Sequence, residues 1–154
     1  MIKICQGSIF DSKAEALINP VNCVGVMGAG LALAFKKRYP LNFQFYKDLC
    51  DFGALRLGHP LMYFEVNAEK TDYKFIVNFP TKHHWRDKSI LESISYGLVM
   101  LDNLIHIYDI KEVAMPALGC GLGGLDWGDV KPLIYKQFEE YDYVTIHLYE
   151  PKNN

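Results

Sequence analysis

The 154-residue sequence has no apolar run approaching the ~20 residues a membrane-spanning helix needs, which excludes that class of membrane protein. It has no excess of either charge. Sixteen basic and eighteen acidic side chains leave a formal net charge of −2, so it is not a globally basic nucleic-acid binder, and any anion-attracting surface must be local. Cysteine is scarce. Cys5, Cys23, Cys50 and Cys120 show no metal-ligand spacing and no paired framework, which reads as reduced thiols in a cytoplasmic protein. The opening Met1-Ile-Lys-Ile-Cys-Gln-Gly is too short in apolar length for a secretory leader and reads as a strand. No linker, repeat or low-complexity segment interrupts the chain, so it is expected to form one domain over residues 1–154.

Two glycine-rich loops stand out. The first is Asn19-Pro-Val-Asn-Cys-Val-Gly-Val-Met-Gly-Ala-Gly30 and the second is Pro116-Ala-Leu-Gly-Cys-Gly-Leu-Gly-Gly-Leu-Asp-Trp127. Glycine lacks a Cβ, so such loops bring bare backbone N–H groups close to a ligand. Two of them at strand ends predict a site that grips a diphosphate from both sides. Neither loop carries the Lys-Ser/Thr pair of a nucleotide-hydrolysing phosphate loop. After Gly28-Ala-Gly30, Leu33 stands where a dinucleotide fingerprint needs a third Gly or Ala, and no acidic residue closes a second strand about 20 residues on.

Strands are predicted over residues 1–6, 16–19, 61–66, 73–79, 113–116 and 143–149 from β-branched and aromatic runs. Helices are predicted over 31–39, from Pro40 to about Phe52, along Leu91, Ile94, Leu98, Leu101, Ile105 and Tyr108, and from about Asp129 to Glu140. Leu41, Phe45, Leu49 and Phe52 would form the inner face of the second helix, Pro132 would sit in the first turn of the last, and Asp11 would cap a short turn. Residues 67–72 read as a polar turn. This β-β-α-α-β-β-α-β-α-β order predicts an α/β fold, with a mixed sheet between helix layers and the ligand at the carboxyl ends of the strands entering the glycine loops.

The segments Ala16-Leu-Ile-Asn-Pro-Val-Asn22, Gly25–Gly30 and Pro116–Trp127 together resemble the macrodomain family of ADP-ribose-binding proteins, over nearly the whole length. A third segment, Asn78-Phe-Pro-Thr-Lys-His-His-Trp-Arg86, is similar to the DarG-like antitoxin macrodomains, which remove ADP-ribose from thymidine in DNA. The resemblance implies a three-layer α/β/α fold with about six strands and a hydrolase needing no metal or redox cofactor. Its implied partners are ADP-ribose, ADP-ribosylated single-stranded DNA and a cognate DarT-like toxin, with no membrane.

Residue by residue, the resemblance implies that Asn22 binds the ribose attached to the target. Val26, Met27, Gly28, Ala29 and Gly30 would line the diphosphate and that ribose, and Gly119, Cys120, Gly121, Leu122 and Gly123 would clamp the diphosphate from the other side. Ser8 and Ile9, where many relatives carry an Asp that reads adenine, would approach the base. Cys120 is expected to be a small packing residue and not a nucleophile. Gly123 stands where the related protein-directed glycohydrolase carries an Asp that completes the hydrolysis, leaving Lys82 as the catalytic group. Lys82 has two routes, attack on the anomeric carbon as an amine or stabilisation of the departing base as a cation. His83, His84, Trp85 and Arg86 interleave rings and cations as single-stranded nucleic acid requires, with Trp85 as an anchor under the loop the competing reading. The His pair has no evident third metal ligand. Hydrolysis of protein esters, deacetylation of O-acetyl-ADP-ribose and non-catalytic ADP-ribose reading remain the alternatives.

Overall fold

In the computed structural model, which describes residues 1–66 and 72–152, six strands and four helices follow one another. They are β1 (Ile2–Cys5), β2 (Ala16–Val21), α1 (Gly30–Arg38), α2 (Pro40–Asp51), β3 (Leu61–Val66), β4 (Tyr73–Pro80), α3 (Leu91–Ile107), β5 (Glu112–Pro116), α4 (Trp127–Phe138) and β6 (Thr145–Tyr149). The turn expected at 67–72 lies, except for residue 72, outside the described residues. No described helix is long and apolar enough to cross a membrane.

The strands form one sheet in the order β1-β6-β5-β2-β4-β3, parallel throughout except for the antiparallel β3–β4 pair. Parallel strands are buried on both faces, so their sequences read as continuous apolar runs. The period-2 pleat divides those runs. Ala16 and Ile18 of β2, with Val113 and Met115 of β5, enter the core beneath α3 and α4. Leu17 and Ala114 enter the opposite core with Phe35 of α1. α1 pairs with α2 and α3 with α4, giving helices on both sides of the mixed sheet.

The α2 face differs from the expected one. Leu41 and Phe52 are exposed, whereas Asn42 and Tyr46 are fully buried. A buried amide cluster draws Asn42 inward. Asn42 and Asn78 exchange hydrogen bonds of 3.1 and 2.8 Å, and Asn19 donates to the same Asn78 oxygen at 3.2 Å. Apolar spacing cannot report a helix face chosen by hydrogen bonds. α4 starts two residues earlier than expected because Asp126 caps it, accepting from the Gly128 amide at 2.7 Å. Pro132 therefore lies inside the helix, past its first turn, and leaves the Gly128 carbonyl without its usual helical donor. The cap of the short 3-10 turn Ile9–Asp11 is Ser8, whose Oγ accepts from the Phe10 amide, and not Asp11. β6 begins at Thr145, two residues after the expected start. Tyr143 instead donates its hydroxyl to Asp102 at 2.7 Å.

β2 and β4 stay paired over six rungs, but β2 and β5 are in register only at Ala16–Val113 and Leu17–Ala114. Pro20 and Pro116 each lack the N–H that a continued ladder would need. The two central strands part, and the gap opens at the carboxyl ends from which both glycine loops leave.

Candidate functional site

A cleft of about 1030 Å³ fills that gap. The loops after β2, β4 and β5 surround it, joined by the chain after β6 and the turn after β1. Of the residues singled out in the sequence, Ser8, Ile9, Asn22, Val26, Gly28, Ala29, Gly30, Lys82, Trp85, Gly119, Cys120, Gly121, Leu122 and Gly123 line it. Met27 does not. Its side chain is buried in the core beside Tyr46, with its sulfur 3.8 Å from the Asn19 amide nitrogen. His83, His84 and Arg86 also lie off the cleft wall.

The first loop is held by one side chain. The Asn22 Oδ1 accepts from the Tyr46 hydroxyl at 2.8 Å and from the amides of Val24 and Val26 at 3.1 and 3.4 Å. Its Nδ2 donates to the Val26 carbonyl at 2.8 Å, which leaves one N–H on the amide for a ligand. Burial, with Cys50 beside it, pushes the Tyr46 phenol well above its ordinary range, so Tyr46 keeps the proton it donates.

The loop then runs into α1. Ala29 at the N-cap has no side-chain acceptor, and the first intrahelical bond joins the Leu33 amide to the Ala29 carbonyl at 3.2 Å. The amides of Gly30, Leu31 and Ala32 precede that bond, and all three residues line the cleft. A helix start without a cap carries partial positive charge and attracts anions.

Opposite, the second loop folds on itself, with Cys120 N bonded to Ala117 O at 3.2 Å and Leu125 N to Gly119 O at 2.9 Å. The amides of Gly121, Leu122 and Gly123 find no acceptor among the described residues. Leu122 reaches across to Gly30, its Cδ1 3.6 Å from where a Cβ of Gly30 would stand. Gly119 has φ +71, and a Cβ there would meet Ile94 at 2.8 Å. A Cβ on Gly123 would lie far inside van der Waals contact of Ser89 Oγ and the Gly119 carbonyl. This backbone admits no acidic side chain at Gly123, because Ser89 occupies its place. Burial, with the Asp126 charge secondary, raises the Cys120 thiol to about 11, so at neutral pH it is protonated and a poor nucleophile.

The Lys82 loop is stitched to both glycine loops. Cys23 N donates to His83 O at 2.8 Å, and Ser89 N to Gly123 O at 2.9 Å. Within it, the Lys82 ammonium donates to the Trp85 carbonyl at 3.1 Å. Trp85 is 46% exposed and stands at the cleft rim, so it is not a core anchor. Its ring is flanked by His84 at 5.1 Å and by the Arg86 guanidinium at 4.6 Å. Among the described residues no three His, Cys, Asp or Glu side chains stand close enough to hold a metal ion.

Sequence reasoning missed Thr81, Tyr149, Glu150 and Lys152, which also line the cleft. Glu150 is fixed by Trp127 Nε1 at 2.8 Å and Lys131 Nζ at 3.0 Å, and these bonds hold its carboxyl below its ordinary range. The available signal was topological: β6 runs parallel beside β5, so its carboxyl end opens on the same side.

A family model described as Macro domain matches residues 18–134. The DNA ADP-ribosyl glycohydrolase of Mycobacterium tuberculosis is 42% identical over 151 residues, which make up 98% of this chain and 42% of that protein. The enzyme of the same description from Thermus aquaticus is 38% identical over 154 residues, 100% of this chain and again 42% of that protein. The chain thus spans 42% of the length of these curated relatives. Among solved structures, the macrodomain of Mycobacterium tuberculosis DarG matches with a TM-score of 0.91 at 42% identity, covering 99% of both chains. Thermosipho africanus DarTG in complex with ADP-ribose matches with a TM-score of 0.91 at 34% identity, covering 99% of this chain and 43% of that one.

Proposed function

This chain belongs to the Macro domain family, and from that premise we propose that it is a hydrolase that cuts the N-glycosidic bond between ADP-ribose and a thymidine base in single-stranded DNA. The diphosphate lies between the uncapped start of α1 and the free amides of Gly121, Leu122 and Gly123. The remaining N–H of Asn22 donates to a hydroxyl of the ribose attached to the base, and Ser8 and Ile9 stand toward the adenine end. Lys82 then faces the anomeric carbon. The net reaction adds water across the bond between that carbon and the thymine nitrogen, hydroxide to the first and a proton to the second. Lys82 has two routes: its amine displaces the thymine at the carbon and water then displaces the amine, or its ammonium stabilises charge building on the base while water attacks directly. The exposed face of Trp85 takes a base by stacking, and His83, His84 and Arg86 complete the DNA side.

One observation carries this reading: the Lys82 side chain lines the same cleft as both free-amide loops, beside an exposed aromatic ring. Relatives that match nearly the whole of this chain are DNA ADP-ribosyl glycohydrolases, and one solved neighbour is a DarTG protein in complex with ADP-ribose, which supports ADP-ribose as ligand and a DarT-like toxin as cognate partner.

The test is incubation with a single-stranded oligonucleotide ADP-ribosylated on one thymidine, with released ADP-ribose followed by chromatography. Release of ADP-ribose together with unmodified DNA is expected. Turnover of a protein ester or of O-acetyl-ADP-ribose without turnover of the oligonucleotide would move the substrate to those linkages. Binding of ADP-ribose with no turnover on any linkage would make the chain a reader.

A further inference from the structure

A second hollow, of about 540 Å³, lies behind the wall that carries Lys82. Its size falls within the ~300–1,000 Å³ typical of ligand sites. Consecutive residues line the two spaces: Lys82 lines the main cleft and His83 lines the hollow, with His83 held to Cys23 by the 2.8 Å backbone bond. Cys23 and Leu55 are buried and apolar, while Arg56 and His83 are exposed to solvent.

Three features of this hollow point the same way. Arg56 enters no ion pair among the described residues, and neither do His83, Arg86 and Lys88 on the neighbouring loop. The nearby carboxylates are engaged: Asp51 pairs with Lys47 at 2.8 Å, and Asp87 accepts from the His84 amide at 3.0 Å. Phe52, next to the lining residue Gly53, is 84% exposed and is the most exposed large apolar side chain among the described residues. An isolated exposed phenylalanine carries little meaning. Here it stands beside an apolar hollow edged by the Arg56 guanidinium and the His83 imidazole, on a chain whose net charge is −2. Rings and cations combined in this way suit a nucleotide, whose base stacks while its phosphate pairs.

We propose that this hollow holds the nucleotide adjacent to the modified thymidine, with its base against the apolar lining and Phe52 and its phosphate at Arg56 and His83. The proposal rests on the DNA-directed reading above and adds to it a subsite for the neighbouring nucleotide. The consecutive residues Lys82 and His83 join the two spaces along the chain.

The experiment compares two substrates: free ADP-ribosyl-thymidine nucleoside, and an oligonucleotide with one ADP-ribosylated thymidine flanked on both sides. Arg56→Ala and Phe52→Ala are each expected to lower kcat/KM for the oligonucleotide about tenfold, through KM, and to leave the nucleoside unchanged. Arg56→Ala is also expected to flatten the dependence of log KM on log salt by about 0.7, the share of one phosphate on a single strand, and Arg56→Lys to restore it. An unchanged ratio between the two substrates, or equal losses on both, overturns the subsite and leaves the hydrolase reading intact. No hydrolysis of either substrate by the unaltered chain overturns the hydrolase reading itself.

Discussion

Ser89 fills the space that a side chain at position 123 would need. Its Oγ is buried, has no hydrogen-bond partner among the described residues, and lies where a Cβ on Gly123 would project, while its amide bonds the Gly123 carbonyl at 2.9 Å. The second glycine loop and the Lys82 loop are therefore packed together backbone to backbone.

Gly123→Ala is expected to displace the loop and lose about 1–3 kcal/mol of stability together with at least tenfold in ADP-ribose affinity. Gly121→Ala is the control for stability, since no described atom lies within 4 Å of its added Cβ and its φ is not in the left-handed region. Denaturant unfolding of the pair checks the packing, and calorimetry of Gly123→Ala checks the affinity. Equal stability of the two variants contradicts the packing argument.

Lys82→Ala is expected to lower turnover on modified DNA by at least about 100-fold while ADP-ribose affinity stays within about threefold. Single-turnover rates and calorimetry measure the two quantities. Near-normal turnover removes Lys82 from the chemistry. Lys82→Arg separates its two routes, because a guanidinium keeps the charge and cannot attack: partial rate in that variant assigns the cation role.

Tyr46→Phe removes a hydroxyl that reaches both the carbonyl and the side-chain oxygen of Asn22 at 2.8 Å. The expected loss is about 1–2 kcal/mol of stability, with a several-fold weaker grip on ADP-ribose, because Asn22 is braced from one side only. A fully stable variant with native affinity would show that the two loop amides suffice.

Alkaline pH should weaken the fold. Burial raises Cys23 and Cys120 from 9.0 to about 11, and pushes Tyr46 upward as well. Between pH 9 and 11 the unfolded chain releases thiol protons that the folded chain retains, so stability on this account is full below 9 and falls through that window. Denaturant midpoints from pH 7 to 11 test the sign, and Cys23→Ala should make the decline shallower. A flat profile would mean that the thiols gain water as readily folded as unfolded. For the same reason Cys120→Ser is expected to leave turnover at pH 7 unchanged.

The elements that local chemistry dictates were legible in the sequence: the apolar runs of β2 and β5, the three-and-four spacing of Ile94, Leu98, Leu101 and Ile105, and the glycine loops themselves. The motif also singled out Lys82, which lines the cleft. Contacts distant in sequence decided the rest. The inner face of α2 follows Asn42 and Tyr46 because their partners, Asn78 on β4 and Asn22 in the loop after β2, arrive from 36 and 24 residues away. The cleft exists because β2 and β5 part after two rungs, and the exclusion of a side chain at Gly123 depends on Ser89. Spacing along the chain reports periodicity and turn chemistry. It carries no information about which buried amide finds which acceptor, or about which residue already occupies a given volume, and those were settled only when the chain packed.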